Sequence, residues 1–452
     1  MTTSTDGNEV LFAEAGPLAA LRSLGNDHEL VGLVGPGPAQ GPGPSGRGPL
    51  GRPPKVNSHV HLPPNFSAFA TVAEATDLAA AQGVRVLGGS NYYDFEVYGP
   101  FAQLSWSKGI FPLFGLEVVC LVEDLQKAGV RINDPGNPGK MYLCGKGITR
   151  FAPMNAAATA LMGEVRRTDS DRILALIAKL QSVFGAEGAR TTVTEGSIKA
   201  SVVGRSGAEM GTVFLQERHV AQAFQEDLSA LPATAPFPAA LLGLPPGAGP
   251  GMSPVSVQNA IRSQVMKAGK PGYVEEAFVD FDHSYRMVLE LGGVPCYPVL
   301  ADGARPVCEF ETPVDDLVTE LRRREVHCAE MIPNRNAPEV VEAYALTLRS
   351  AGIPVLAGTE HNTLEMVPVE PTCAGGVPIP ERVKDVFWEG ACVIAAHQWL
   401  TANGREGYVD SAGQPNASYP SAGARIEAFA RLGAAVIDRY AELTAPNSVK
   451  TE

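Results

Sequence analysis

Several things are scarce in this chain of 452 residues. It has no run of about 18 apolar residues, the length a helix needs to cross a bilayer, so no transmembrane helix is expected. It has no Lys/Arg-rich tract. Its 36 basic residues stand against 49 acidic ones, for a net charge of −13, which argues against wrapping a phosphate backbone. Nucleic acid and membrane are therefore not expected partners, and a small molecule is. The opening MTTSTDGNEVLFAEAG lacks a basic stretch followed by an apolar one, so no secretory signal is expected. Cysteines number only seven, with no CxxC pair. They read as reduced core thiols of a cytoplasmic protein. Cys144 in LCGKG has no histidine beside it in sequence, so a thiol nucleophile has no support there. GxSxG is absent, no Walker pattern surrounds KGITRF, and the prolines of GPGPAQG remove the N–H donors a phosphate loop needs. There is no internal repeat.

What is present is globular: 45% hydrophobic and 19% charged residues. At roughly 150 residues per domain the length allows about three domains, or one large barrel with insertions. Residues 1–34 hold one amphipathic stretch, LAALRSL. Residues 35–54 are nearly all Gly, Pro and small polar residues and read as a linker. From Lys55, helical patterns ending near glycine feed short apolar runs: VRVLG, FPLFGLEVVCLV, VPCYPVL, VHCAEMI and IPVLAG. That rhythm predicts βα units around a parallel sheet, and their number favours a barrel over an open sheet. Residues 152–275 interrupt it. There SDRILALIAKLQSVFG reads as a helix capped by Ser170, and 231–254 as a Pro/Gly loop. The division expected is thus a barrel in two parts, 55–151 and 276–420, split by a helical and Pro/Gly-rich insertion at 152–275. Residues 421–452 follow as a C-terminal helix, over 424–443, and tail.

The histidines are unevenly placed. His59 and His61 stand at i and i+2 on a short strand-like segment, so both imidazoles leave one face and can reach one ion. The plainer account is two hydrogen-bonded histidines at a strand end. Glu117 lies inside an apolar run, where a carboxylate is costly unless paired or ligating. GTEHN (358–362) follows the run IPVLA and puts Glu360 and His361 at a strand's C-terminal end, where α/β barrels carry their sites. A loop hydrogen bond is the alternative there. His219, His283, His327 and His397 sit singly among apolar residues and read first as core histidines, with His397 the strongest of them. Glu330 and Arg335 follow another strand-like run, and Arg335 could grip an anion.

With HVH, GLE and GTEHN in that order, the chain resembles the PHP (polymerase and histidinol phosphatase) family over roughly residues 55–150 and 275–400. The resemblance implies a distorted TIM-like (βα)7 barrel, a cluster of up to three metal ions, and chemistry that is mostly phosphoester hydrolysis, related to that of the amidohydrolases. His59 and His61 match the family's opening HxH, Glu117 its bridging carboxylate, Glu360 its late aspartate, and His361 or Asn362 the histidine after it. The chain departs from the family at three places. Asn91-Tyr92 stand where the family has Asp-His, Tyr142 stands where it has a histidine, and Tyr297-Pro298 where it has His-Pro. A neutral phenol is a poor metal ligand and a good hydrogen-bond donor.

These departures imply one divalent ion (Zn, Mn or Fe) on His59, His61, Glu117 and Glu360. His361 or His397 would serve as acid or base, and Tyr92, Tyr142 and Tyr297 would orient substrate or water. Asn65, Lys146 and Arg335 would hold a polar, anionic metabolite. The function expected is a metal-dependent hydrolase. The alternatives are a sugar-acid isomerase or lyase on the same ion, and a non-catalytic metabolite-binding domain.

Overall fold

The computed structural model describes residue 12, residues 16–36 and residues 52–444 apart from 233 and 276. Most of the linker expected over 35–54 lies outside the described residues, as does the tail beyond 444.

The apolar runs form strands. In chain order these are β1 (Lys55–Val60), β2 (Val84–Gly89), β3 (Phe111–Leu121), β4 (Lys140–Lys146), the two-residue β5 (Val279–Asp280), β6 (Val294–Val299), β7 (Cys328–Met331) and β8 (Val355–Ala357). The hydrogen-bonded path runs β1-β2-β3-β4-β6-β7-β8, with β5 paired to β3 off the path. A parallel bridge between Val60 and Glu360 brings the chain just past β8 back to β1. The result is a mixed α/β fold of distorted TIM-barrel type, nearly closed. Its strands are buried almost throughout, as parallel strands covered by helices must be.

One strand breaks the expected parallel pattern. β4 is antiparallel to both β3 and β6. The reason is the link before it: the Val122 N–H donates to the Gly139 carbonyl at 2.8 Å. β3 and β4 therefore form a hairpin whose long connection carries only the short helix Glu123–Lys127, in place of a helical crossover.

Helices α1 (Val72–Ala81) and α2 (Tyr98–Ser107) follow β1 and β2. After β4 comes α3 (Ala156–Ala186), one helix of 31 residues. Ser170, read as an N-cap, lies in its interior. The cap is Asn155, whose side chain accepts from the Ala158 N–H at 2.7 Å. The stretch between them is rich in Ala, Leu, Met, Glu and Arg, has no proline, and carries the helix through Gly163. There follow α4 (Glu195–Ser206), α5 (Glu217–Ser229) and α6 (Pro254–Ala260), which runs into a π-helical turn at Ile261–Met266. Helices α7 (Phe281–Glu290), α8 (Val314–Arg323) and α9 (Pro338–Ser350) cover the second half of the barrel. The long α10 (Glu381–Ala402) and α11 (Ala422–Thr444) pack on one another.

Two apolar cores result. The larger fills and surrounds the barrel and takes in Leu18 to Leu24 of the N-terminal segment. The smaller, built from residues such as Leu180, Phe184, Phe224 and Ile261, holds together the part between β4 and β5. Among the described residues no helix is long and apolar enough to cross a membrane.

Candidate metal centre and cavity

His59 and His61 leave β1 on its inner side, at the C-terminal end of the strand. The neighbouring segment holds them by its backbone. The Thr359 and Glu360 N–H groups donate to the His59 carbonyl at 3.1 and 2.9 Å, and the His61 N–H donates to the Glu360 carbonyl at 2.8 Å. This segment needs a glycine: a Cβ on Gly358 would lie 2.4 Å from the His59 Cβ. Glu360 and His361 occupy the left-handed region, φ 61° and 53°, a strain that residues other than glycine carry mostly where a site requires it.

From β3, Glu117 reaches the same point. Its Oε2 lies 3.1 Å from His59 Nε2 and 3.2 Å from His61 Nε2, and the two nitrogens lie 3.3 Å apart. All three side chains are buried. This triangle matches the roughly 3.3 Å that separates neighbouring ligand atoms around a tetrahedral ion with bonds of about 2.0 Å. One atom of the triangle also falls short of a partner without an ion: Glu117 Oε2 is buried with no hydrogen-bond partner. His59, His61 and Glu117 thus have the chemistry and spacing to hold a divalent ion.

Behind the triangle, His59 Nδ1 sits 2.7 Å from Glu330 Oε2 on β7. A carboxylate on the far nitrogen of a histidine fixes the ring and leaves Nε2 free for an ion. Glu330 is itself held by the Lys146 ammonium, at 2.8 and 2.9 Å, and by the Ser58 hydroxyl at 2.7 Å. Burial works against charge on Glu330, yet Lys146 and then His59 hold its carboxyl down at about 2. Burial and Lys146 oppose a charge on His59, but Glu330 and Glu117 outweigh them and hold it well above its ordinary value. The space between these carboxylates favours a cation. A second grouping, His59–Cys144–Glu330, is already served by the Lys146 ammonium.

In front of the triangle opens a cavity of about 450 Å³, at the low end of the range for small-molecule sites. Alternation along β4 supplies part of its wall: Lys140 and Tyr142 line it, and Cys144 and Lys146 continue the same face beneath. The helical part between β4 and β5 supplies further wall through Asp169, Arg172, Glu217, Arg218 and Arg262, among others.

The site residues expected from sequence separate into two groups. Tyr92, Tyr142, Arg335 and Glu360 line the cavity with Glu117. The Tyr92 hydroxyl donates to Glu117 Oε1, and its ring stacks on His61 with centroids 5.2 Å apart. Burial, and then Glu117, push the Tyr92 phenol well above its ordinary value, so it remains a donor. Glu360, expected as a ligand, is instead engaged by the Arg335 guanidinium and the Asn362 amide.

The other expected residues serve the fold. His361, expected as an acid or base, has both nitrogens occupied, by the Thr359 hydroxyl at 2.7 Å and the Val367 carbonyl at 3.0 Å. Burial pushes its pKa down to about 4. His397 lies in α10 between the Gly292 carbonyl, at 2.9 Å, and the Tyr408 N–H, at 3.0 Å, away from the cavity. The Tyr297 hydroxyl donates to Glu311 at 2.9 Å on the other side of β6. Asn65, expected to touch substrate, uses its amide to hold the backbone of Tyr92. Lys146, given the same role, is buried against Glu330. Of the other lone histidines, His219 accepts from the Gln216 N–H and His283 meets the Leu161 carbonyl.

No protein-family model matches the chain, and no curated protein sequence does. Among solved structures it is similar to one from Bifidobacterium adolescentis named as a candidate metal-dependent phosphoesterase. That likeness has a TM-score of 0.51 at 14% identity and covers 74% of this chain and 96% of the other. It is also similar, at a TM-score of 0.47 and 14% identity with the same coverage, to an amidohydrolase from Chromobacterium violaceum solved with sulfate and no metal. The first likeness agrees with the barrel described above.

Proposed function

We propose that this chain is a metal-dependent hydrolase of PHP type, acting on a small anionic metabolite of the phosphoester kind. It would hold one divalent ion of the Zn, Mn or Fe class on His59, His61 and Glu117. The observation that carries this reading is the buried triangle of Nε2, Nε2 and Oε2 atoms beneath a cavity whose lining carries Lys and Arg side chains as well as carboxylates. A divalent ion there would supply Lewis acidity toward water and a substrate oxygen. The chain's own residues do the rest. Glu330 orients His59. Tyr92 fixes one oxygen of Glu117 and so aims the other at the two histidines. Tyr142 stays a neutral donor on the cavity wall, because burial raises its phenol. Arg335 brings positive charge to the cavity, and a volume of about 450 Å³ suits a small molecule.

The test is metal content by elemental mass spectrometry on protein purified without chelator, wild type beside His61→Ala, followed by a screen for phosphate release from small phosphomonoesters. About one equivalent of metal, lost in the variant together with phosphate release, is expected. Two or three equivalents would overturn the single-ion reading. No metal after reconstitution would overturn the hydrolase reading itself.

A further inference from the structure

The cavity's charges are unequally matched. Lys140 lies 3.4 Å from Asp134. Arg172 pairs with Glu217 at 2.9 Å and Asp169 at 3.4 Å, Lys267 reaches Glu217 at 3.6 Å, and Arg335 engages Glu360. Two guanidiniums on the insertion are left over. Among the described residues, no carboxylate comes within the roughly 4 Å of an ion pair to Arg218 or Arg262. Arg218 has one long bond, 3.4 Å, to the Asn362 amide oxygen. Arg262 Nε is buried with no hydrogen-bond partner.

The two cations line the same cavity and are near enough to act on one another. Burial, and then the nearness of Arg262 and Arg335, outweigh the opposing charge of Glu360 and lower the Arg218 guanidinium to about 9, an unusual value for an arginine. Arg262 stands in the π-helical turn Ile261–Met266. Such turns re-aim side chains and are found often at functional sites. Like charges placed side by side and half out of water raise the energy of the empty protein, and the acidic chain has carboxylates to spare elsewhere. A bound anion would remove that cost, and guanidiniums match an oxyanion with two donors each.

We propose that Arg218 and Arg262 form an oxyanion subsite, carried by the helical part between β4 and β5, that receives an anionic group of the ligand in the cavity they line together with Glu117 of the metal triangle. The barrel would then set the chemistry and the insertion would select ligands by charge. The proposal rests on the cavity being the ligand site, as proposed above, but not on a metal being bound.

Inorganic sulfate is the probe, titrated at constant ionic strength against chloride in the presence of chelator, with thermal stability and calorimetry as readouts. Sulfate is expected to raise the Tm of metal-free wild type, as mass action requires of a native-state ligand. In the Arg218→Gln/Arg262→Gln double variant, binding should weaken about tenfold or more, as expected on losing charge-assisted hydrogen bonds. That variant should still take up metal as wild type does, which shows that it folds. Arg262→Lys should bind at an intermediate level, because it keeps the charge and loses the fork. Equal sulfate binding by wild type and the double variant would overturn the subsite, as would sulfate binding that disappears with chelator. A metal-free protein that binds sulfate through these arginines would keep the subsite even if the hydrolase reading failed. Metal uptake without a sulfate response would do the opposite.

Discussion

The floor and the far wall of the cavity handle charge in opposite ways. On the floor, Lys146 and Glu330 are both fully buried, and every charge has a partner: ammonium to carboxylate, carboxylate to imidazole, hydroxyl to carboxylate. On the wall, Arg218 and Arg262 are partly buried, and among the described residues no carboxylate comes within ion-pair distance of either. A buried charge that is satisfied is part of the fold, since removing its partner leaves a charge out of water. A partly buried charge that is unsatisfied makes little sense for the empty protein and gains its sense from a ligand. Stability and binding should therefore respond to mutation in opposite patterns in the two regions.

The largest effect should come from the floor. Lys146→Met leaves the Glu330 carboxylate buried without its cation, and breaking such a pair costs about 3–5 kcal/mol. Arg262→Gln, on the wall, removes no ion pair and should change stability by no more than about 0.5 kcal/mol. Urea denaturation of both variants checks this. Similar losses in the two would dissolve the distinction between floor and wall.

A middle case sharpens it. Glu311 is fully buried and receives hydrogen bonds from the Tyr297 hydroxyl and from the Leu300 and Ala301 N–H groups, but among the described residues no cation pairs with it. Burial outweighs those three donors and pushes the carboxyl up to about 7. Its folded value is raised, so the folded chain keeps a proton that the unfolded chain releases. The stability it contributes is complete below about pH 4.5 and is lost as pH rises to about 7. The decline is on the order of 3 kcal/mol for so buried a group. Glu311→Gln should flatten the stability profile across that window. A wild-type profile already flat there would mean that the three donors hold the carboxylate as well as a cation does.

Much of the barrel, and the near side of the site, could be read from the sequence because both depend on local spacing. Apolar runs between glycine-ended helical patterns become strands, and their number closes a barrel. Two histidines at i and i+2 share a face, and a carboxylate in an apolar run has to meet something. The far wall could not be read this way. Arg218 and Arg262 lie on different elements of the insertion, and no periodicity relates them. β4 did carry a readable signal that spacing alone left unused. In KMYLCGK every second residue, Lys140 to Lys146, faces inward, so Lys146 belonged under the site and not among its grips. Positions carried over by resemblance were weaker guides. Cys296 pairs in register with Cys144, and Pro298 lines the cavity, so Tyr297 between them has the wrong parity to face it. GTEHN marked the right place, yet its backbone does more than its side chains: the Glu360 carbonyl and N–H hold β1, while its carboxylate goes to Arg335.

The two tyrosines test parity at the smallest energetic scale. Tyr297→Phe and Tyr92→Phe each delete one hydroxyl donated to a buried carboxylate, and each should cost about 1 kcal/mol of stability. Their effects on metal should differ. Tyr297 works on Glu311, on the other side of β6, and its variant should bind metal as wild type does. Tyr92 works on Glu117, whose second oxygen completes the triangle, and losing a partner of that kind weakens metal binding about 10–100-fold. Competition with a colorimetric chelator, run on both variants, separates the cases. If both variants bind metal equally well, Glu117 does not depend on Tyr92 for its orientation. If both bind it equally poorly, the loss comes from general loosening of the barrel and not from the hydroxyl that touches the site.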